Sequence, residues 1–195
     1  MDLFRLFRWL IGRLWHRGRL RMAAALCKEN ITEHDSKEQF QQACRRFFSF
    51  LEEQCDFQRD PPRLHEPGFQ NPYIVIYRNR SLILVIEGLS HGARTRMCLI
   101  DRDGQLLDIA GLVKRRNPKL LYLCSLASGQ YEQIPLYAEA LWGCAADVLD
   151  GDLKGVSRCE AFNSEFSFGV FSDADDMDYF LKCHAPRPGS ALMQV

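Results

Sequence analysis

The sequence predicts an α+β domain: a meander of four to five antiparallel strands packed by helices, with a basic amphipathic helix at the N-terminus. Three observations carry this. Two apolar, β-branched runs, YIVIY (73–77) and LILVI (82–86), are separated only by RNRS, a spacing that suits a hairpin and leaves no room for a crossover helix. Segments with apolar residues at three- and four-residue spacing lie on both sides of those runs. The first 22 residues hold six arginines and one aspartate among leucines, phenylalanines and tryptophans. We divide the chain into a basic amphipathic arm (1–22), one α+β domain (36–185) and a frayed tail (186–195).

In chain order, residues 3–15 have a helical pattern. Leu3, Phe4, Leu6, Phe7, Leu10, Ile11, Leu14 and Trp15 share one half of the wheel. Arg5, Arg8, Arg13 and His16 share the other half, with Trp9 as the large apolar exception. Gly12 weakens this helix and Gly18 ends it. Residues 23–35 read as a connector. Asp35 or Ser36 caps a helix that carries Phe40, Cys44, Phe47, Phe48 and Leu51 to about Gln54. Three prolines make DPPRLHEPG (60–68) irregular. Strands follow at 73–77, 82–86 and 95–100. DRDG (101–104) is a turn, and 105–109 returns as a further strand. Both hairpin runs are apolar on each face, so helices are expected to cover at least one side of the sheet. Pro118 opens a helix over 119–127, and Pro135 opens another through the stripe Leu136, Ala140, Leu141, Cys144, Ala145 and Val148, which Gly151 ends. Phe162–Phe171 reads as a last strand. Ser172 or Asp173 caps a final helix through about Cys183.

Composition narrows the function classes. Apolar residues at 47% and charged residues at 26% are globular values, which argues against a disordered or fibrous chain. The net charge of zero hides a division: residues 1–22 are at +5 and the remainder, with 19 Lys and Arg against 24 Asp and Glu, is at −5. The eight cysteines are 11 to 43 residues apart, with no CxxC, mostly beside apolar neighbours. With no secretory signal in view, they predict buried thiols in a reducing cytoplasm rather than a disulfide framework. No run of 18 apolar residues occurs, so no membrane-spanning helix is expected.

Motifs for chemistry are sparse. SDADDMD (172–178) fails as a calcium loop, because Met177 and Asp178 stand where an oxygen ligand and a glycine belong. It reads instead as acidic residues in the first turn of a helix. KRRNPK (114–119) reads as a solvated loop; no aromatic or recognition-helix pattern flanks it, and nucleic acid is not an expected partner. The histidines His16, His34, His65, His91 and His184 are dispersed, outside any nucleophile or zinc motif, and read as surface or turn residues. EGLSHGAR does not form a GxGxxG loop. No cofactor or metal is expected and no catalytic residue is assigned. An enzyme remains a third class, to be revived by a cleft that gathers His65, His91, His184 or the cysteines.

The arm carries the clearest site. Phe4, Phe7, Leu10, Ile11, Leu14 and Trp15 form a wide apolar arc flanked by Arg5, Arg8 and Arg13, a combination that suits an anionic membrane interface. The competing readings are a helix that packs on the body with its arginines in water, an organelle transit peptide, and an upstream extension from a mis-set start codon.

Beyond these patterns, FFSFLEEQCDF (47–57), YIVIYRNRSLILVIEGL (73–89) and LYAEALWGCAADVLDGDL (136–153) resemble small uncharacterised bacterial cytosolic proteins. Some of those resemble immunity partners of secreted toxins. The resemblance spans residues 40–153 and rests on helix and strand endings. It implies an α+β fold and a protein-binding role, and it transfers no site residue. The leading expectation is therefore a non-enzymatic bacterial interaction protein, cytoplasmic, whose acidic body engages a protein partner. The runner-up is a peripheral protein held at the inner membrane face by residues 3–15.

Overall fold

The apolar runs become the middle of an antiparallel sheet. The computed structural model describes residues 37–61, 71–89, 94–127, 129–158, 171 and 173–186. Within them, β1 (Gln58–Arg59), β2 (Ile74–Arg78), β3 (Leu82–Leu89) and β4 (Arg94–Asp101) pair in chain order, all antiparallel. The register sets Tyr77 opposite Leu84, and Leu84 opposite Leu99. Because side chains alternate across a strand, this register sends Val75, Tyr77, Leu84, Ile86, Met97 and Leu99 to one face and Ile76, Ile83, Val85, Cys98 and Ile100 to the other.

The first face is covered by helices α1 (Lys37–Phe47), α2 (Ser49–Gln54), α3 (Ile109–Arg116), α4 (Pro118–Leu126), α5 (Gln130–Cys144) and α6 (Ala146–Leu149). Phe40, Cys44 and Phe47 bring one stripe of α1 into this core, where they meet Leu141 and Ala138 from α5. The second face meets α7 (Ala174–His184) through Phe180, together with Phe171 and Leu106. Both faces are covered, which explains why β3 tolerates an unbroken apolar run. Among the described residues no helix is long and apolar enough to cross a membrane.

Several boundaries differ from the pattern in the sequence. The helix expected from 36 to 54 is two: Phe48 stands between them at φ −103° and ψ 14°. The short strand β1 was not expected. It supplies the fourth strand, whereas 105–109 does not become one. After the turn, Leu106 makes only an isolated bridge to Ile100 and Leu107 another to Arg158. The Asp108 carboxylate then accepts the Gly111 amide at 2.7 Å and starts α3. Cap formation thus ends the extended chain before a ladder can grow. Pro135 does not open its helix. α5 begins at Gln130 with Pro135 inside it, and Gln133 fastens the early turn by accepting the Thr95 amide at 2.6 Å and donating to the Ala127 carbonyl at 3.1 Å.

KRRNPK is not a loop: Lys114, Arg115 and Arg116 form the last turn of α3, and Asn117 caps α4 with Pro118 in its first position. The DRDG turn is as expected, with Gly104 at φ +79° and the Asp101 carboxylate accepting amides from Asp103 and Gln105. The Asp173 cap on the last helix is also present, its carboxylate accepting the Asp176 amide at 2.9 Å. The arm (1–22), the connector, most of the proline-rich segment and the strand expected before Phe171 lie outside the described residues. Phe171 itself is buried and not in a strand.

Candidate interaction surfaces

On the second face of the sheet, Arg96 and Glu87 are cross-strand partners in β4 and β3. Their side chains emerge on the α7 side, where the arginine is only 5% exposed. Nε and Nη2 of Arg96 both donate to one Glu87 oxygen, at 3.1 and 2.7 Å, and Nη1 donates to Asp176 of α7 at 2.9 Å. Phe171 and Phe180 flank the guanidinium, with ring centroids 4.3 and 5.0 Å from its carbon. The remaining Glu87 oxygen accepts from Asn71 at 3.0 Å. Burial disfavours the charged guanidinium, yet the charge of Glu87 and the hydrogen bonds to Glu87 and Asp176 outweigh it and raise the arginine's pKa. The chemical result is a charged clasp that fixes the rotation and height of α7 on the sheet.

The clasp decides what α7 shows to solvent. Phe180 and His184 are buried beneath it, their rings 4.7 Å apart, so His184 is an interior residue rather than the surface residue expected. Asp173, Asp175, Asp178 and Lys182 are exposed, and Tyr179 stands among them with 59% of its surface in water. A hydrogen bond with Cys183, one turn on, is the first cause of the raised pKa of the Tyr179 phenol. This face therefore offers a large amphipathic ring beside exposed carboxylates on a helix that the clasp joins to the sheet.

A second surface lies on the helical layer. In α4, Leu120 and Cys124 point inward, while Lys119, Tyr122, Leu123 and Leu126 fall at the spacing of one outer stripe. Tyr122, Leu123 and Leu126 are 63%, 42% and 60% exposed. Lys114, Arg115 and Arg116, at the end of α3, are exposed beside the joint. Arg116 forms a two-pronged pair with Asp147 at 2.6 and 2.7 Å, which holds that carboxyl below the usual carboxylate range; its Nη1 also donates to the Cys144 carbonyl. Arg115 donates to the Gly155 carbonyl at 2.8 Å.

The sequence-predicted contact residues, Phe4, Phe7, Leu10, Ile11, Leu14, Trp15, Arg5, Arg8 and Arg13, all lie outside the described residues, as do His65 and His91. Cys44, Cys55, Cys98, Cys124 and Cys144 are buried free thiols, and Cys183 is half-buried. Burial pushes Cys55 and Cys124 up to about 12 and Cys44 higher still, so these thiols are poor nucleophiles. Among the described residues no group of His, Cys, Asp and Glu is arranged to hold a metal ion.

Sequence reasoning missed the clasp. Arg96 stands just before the apolar run of its strand, and the hairpin register alone would have placed Glu87 opposite it. Asp176 is 80 positions away in sequence and carries no local signal toward either. No family model, curated protein or solved structure matches the chain.

Proposed function

We propose that the protein is a binding module, non-enzymatic and immunity-like in character, whose acidic face on α7 engages a basic surface of a partner protein. The observation that carries this is Tyr179, exposed on a helix that also shows Asp173, Asp175 and Asp178 to solvent and is clasped to the sheet. Tyrosine gives a large contact area at small entropic cost and is over-represented among residues that dominate binding energy. The flanking Asp173, Asp175 and Asp178 steer a positive partner and set orientation. The Arg96 clasp means that little ordering is needed at contact, which favours affinity. The net acidic character of residues 23–195 points the same way.

The test is a photoactivatable phenylalanine analogue in place of Tyr179, cross-linked in the native host. A single discrete adduct should form, and Asp175→Lys with Asp178→Lys should abolish it. The adduct partner, purified and titrated against native protein, should bind in a salt-sensitive manner and lose at least about tenfold in affinity with Tyr179→Ala. No adduct, or an adduct indifferent to charge reversal, would remove the basis of this reading.

A further inference from the structure

We infer that the outer stripe of α4 is a second contact surface, one that seats on an anionic lipid bilayer. The inference is independent of the α7 reading, since the two helices lie on opposite faces of the sheet. Three observations carry it.

First, the stripe gathers exposed apolar side chains on one side of one helix. Tyr122, Leu123 and Leu126 are the large apolar side chains that the helical layer leaves exposed among the described residues. They stand on one side of a helix whose opposite side, Leu120 and Cys124, is fully used in the core. Packing therefore does not explain them.

Second, the segment that carries the stripe has charge of one sign. From Ile109 to Tyr131 the chain contains Lys114, Arg115, Arg116 and Lys119 and no aspartate or glutamate. The acids on α5 and α6 are Glu132, Glu139 and Asp147. Asp147 is taken by Arg116, Glu139 is half-buried, and Glu132 is exposed in the first turn of α5. Lys114 and Lys119 remain to face an anionic surface, with their aliphatic stems able to lie along it.

Third, the shape and size suit a bilayer better than a protein. The three side chains together expose an area on the order of 300 Å², whereas a standard protein interface takes roughly 800 Å² from each partner. They project from one side of α4, with Lys119 in its first turn and Leu126 at its last residue. That is the arrangement by which a surface helix enters the headgroup region: leucines into the acyl boundary, the phenol at headgroup level, cations outside. The arm has the same chemistry, and two weak contacts on one chain bind far more tightly than either alone.

The experiment is co-sedimentation of the full chain with phosphatidylcholine vesicles, with and without phosphatidylglycerol. Native protein should partition onto the phosphatidylglycerol vesicles and release as salt rises. Leu123→Asp with Leu126→Asp should lower the partition coefficient roughly tenfold at unchanged melting temperature, because both positions are exposed. Lys114→Glu with Lys119→Glu should weaken binding and flatten its salt dependence. Phe7→Asp with Ile11→Asp, run in parallel, measures the arm by itself. The proposal is overturned if the α4 variants partition like native protein, if the arm variant alone accounts for all binding, or if neutral vesicles bind equally well. It is also overturned if native protein is a dimer by light scattering that Leu123→Asp with Leu126→Asp converts to monomer, since the stripe would then be a protein interface.

Discussion

At the scale of the residue, the buried guanidinium of Arg96 determines more of the surface than any exposed group does. Its planar fork meets Glu87 with two nitrogens and Asp176 with a third while two aromatic rings flank it. A lysine ammonium would present a point charge with no face to stack. We expect Arg96→Met to cost about 3–5 kcal/mol in urea denaturation, because two carboxylates lose their counter-ion in a largely buried setting. Arg96→Lys should recover only a minor part of that loss. Full recovery by lysine would show that charge alone, and not the fork with its flanking rings, holds the site. Asn79 has a comparable role at the hairpin. Its side-chain oxygen accepts amides from Ser81 and Leu82, at 2.9 and 2.8 Å, and its nitrogen reaches the Leu149 carbonyl at 3.3 Å. The turn was legible in RNRS; that its asparagine is buried 9% exposed against α6 was not, because the contact spans 70 positions.

At the scale of the element, the local rules held where a cap or a turn residue decides and failed where two elements compete. Pro118 and Asp173 mark their helices as expected, because fixed φ and side-chain capping act within one turn. The stretch 105–109 had strand character, yet the Asp108 cap took the chain into α3. That cap yields a prediction against the usual helix rule. Replacing glycine by alanine inside a helix normally stabilises it by about 1 kcal/mol. A Cβ on Gly111, however, would overlap the Asp108 carboxylate that caps the helix. We expect Gly111→Ala to lower stability by about 1 kcal/mol through loss of the cap, read as a lower melting temperature. In an Asp108→Ala background the same change should raise it. A stabilising Gly111→Ala in the native background would mean that the cap contributes little.

At the scale of the whole molecule, burial is uneven. β3 is covered on both faces: Leu82, Ile83, Leu84, Val85 and Ile86 are each 0% exposed. α7 is joined to the second face mainly by Phe180, His184 and the Arg96 clasp. Native-state hydrogen exchange should follow this ordering, with the amides of residues 82–86 opening only through global unfolding and those of α7 opening at lower free energy. Equal opening free energies for the two would show that α7 belongs to the same cooperative unit as the sheet.

What the sequence determined alone was local: the hairpin from YIVIY and LILVI, the DRDG turn, the helix starts at Pro118 and Asp173, and most of the described thiols placed as small apolar residues. These follow from φ/ψ preference, side-chain alternation and three- to four-residue periodicity, all of which act over a few positions. The arm, the clearest site in the sequence, lies outside the described residues. The tertiary structure alone decided which charged groups are interior and which apolar groups are exposed. Arg96 became a clasp because β3, β4 and α7 converge on it, and Tyr122, Leu123 and Leu126 became a surface because Leu120 and Cys124 claimed the inner side of α4. Such assignments depend on which distant element arrives first at a shared volume, and no window of neighbouring residues records that.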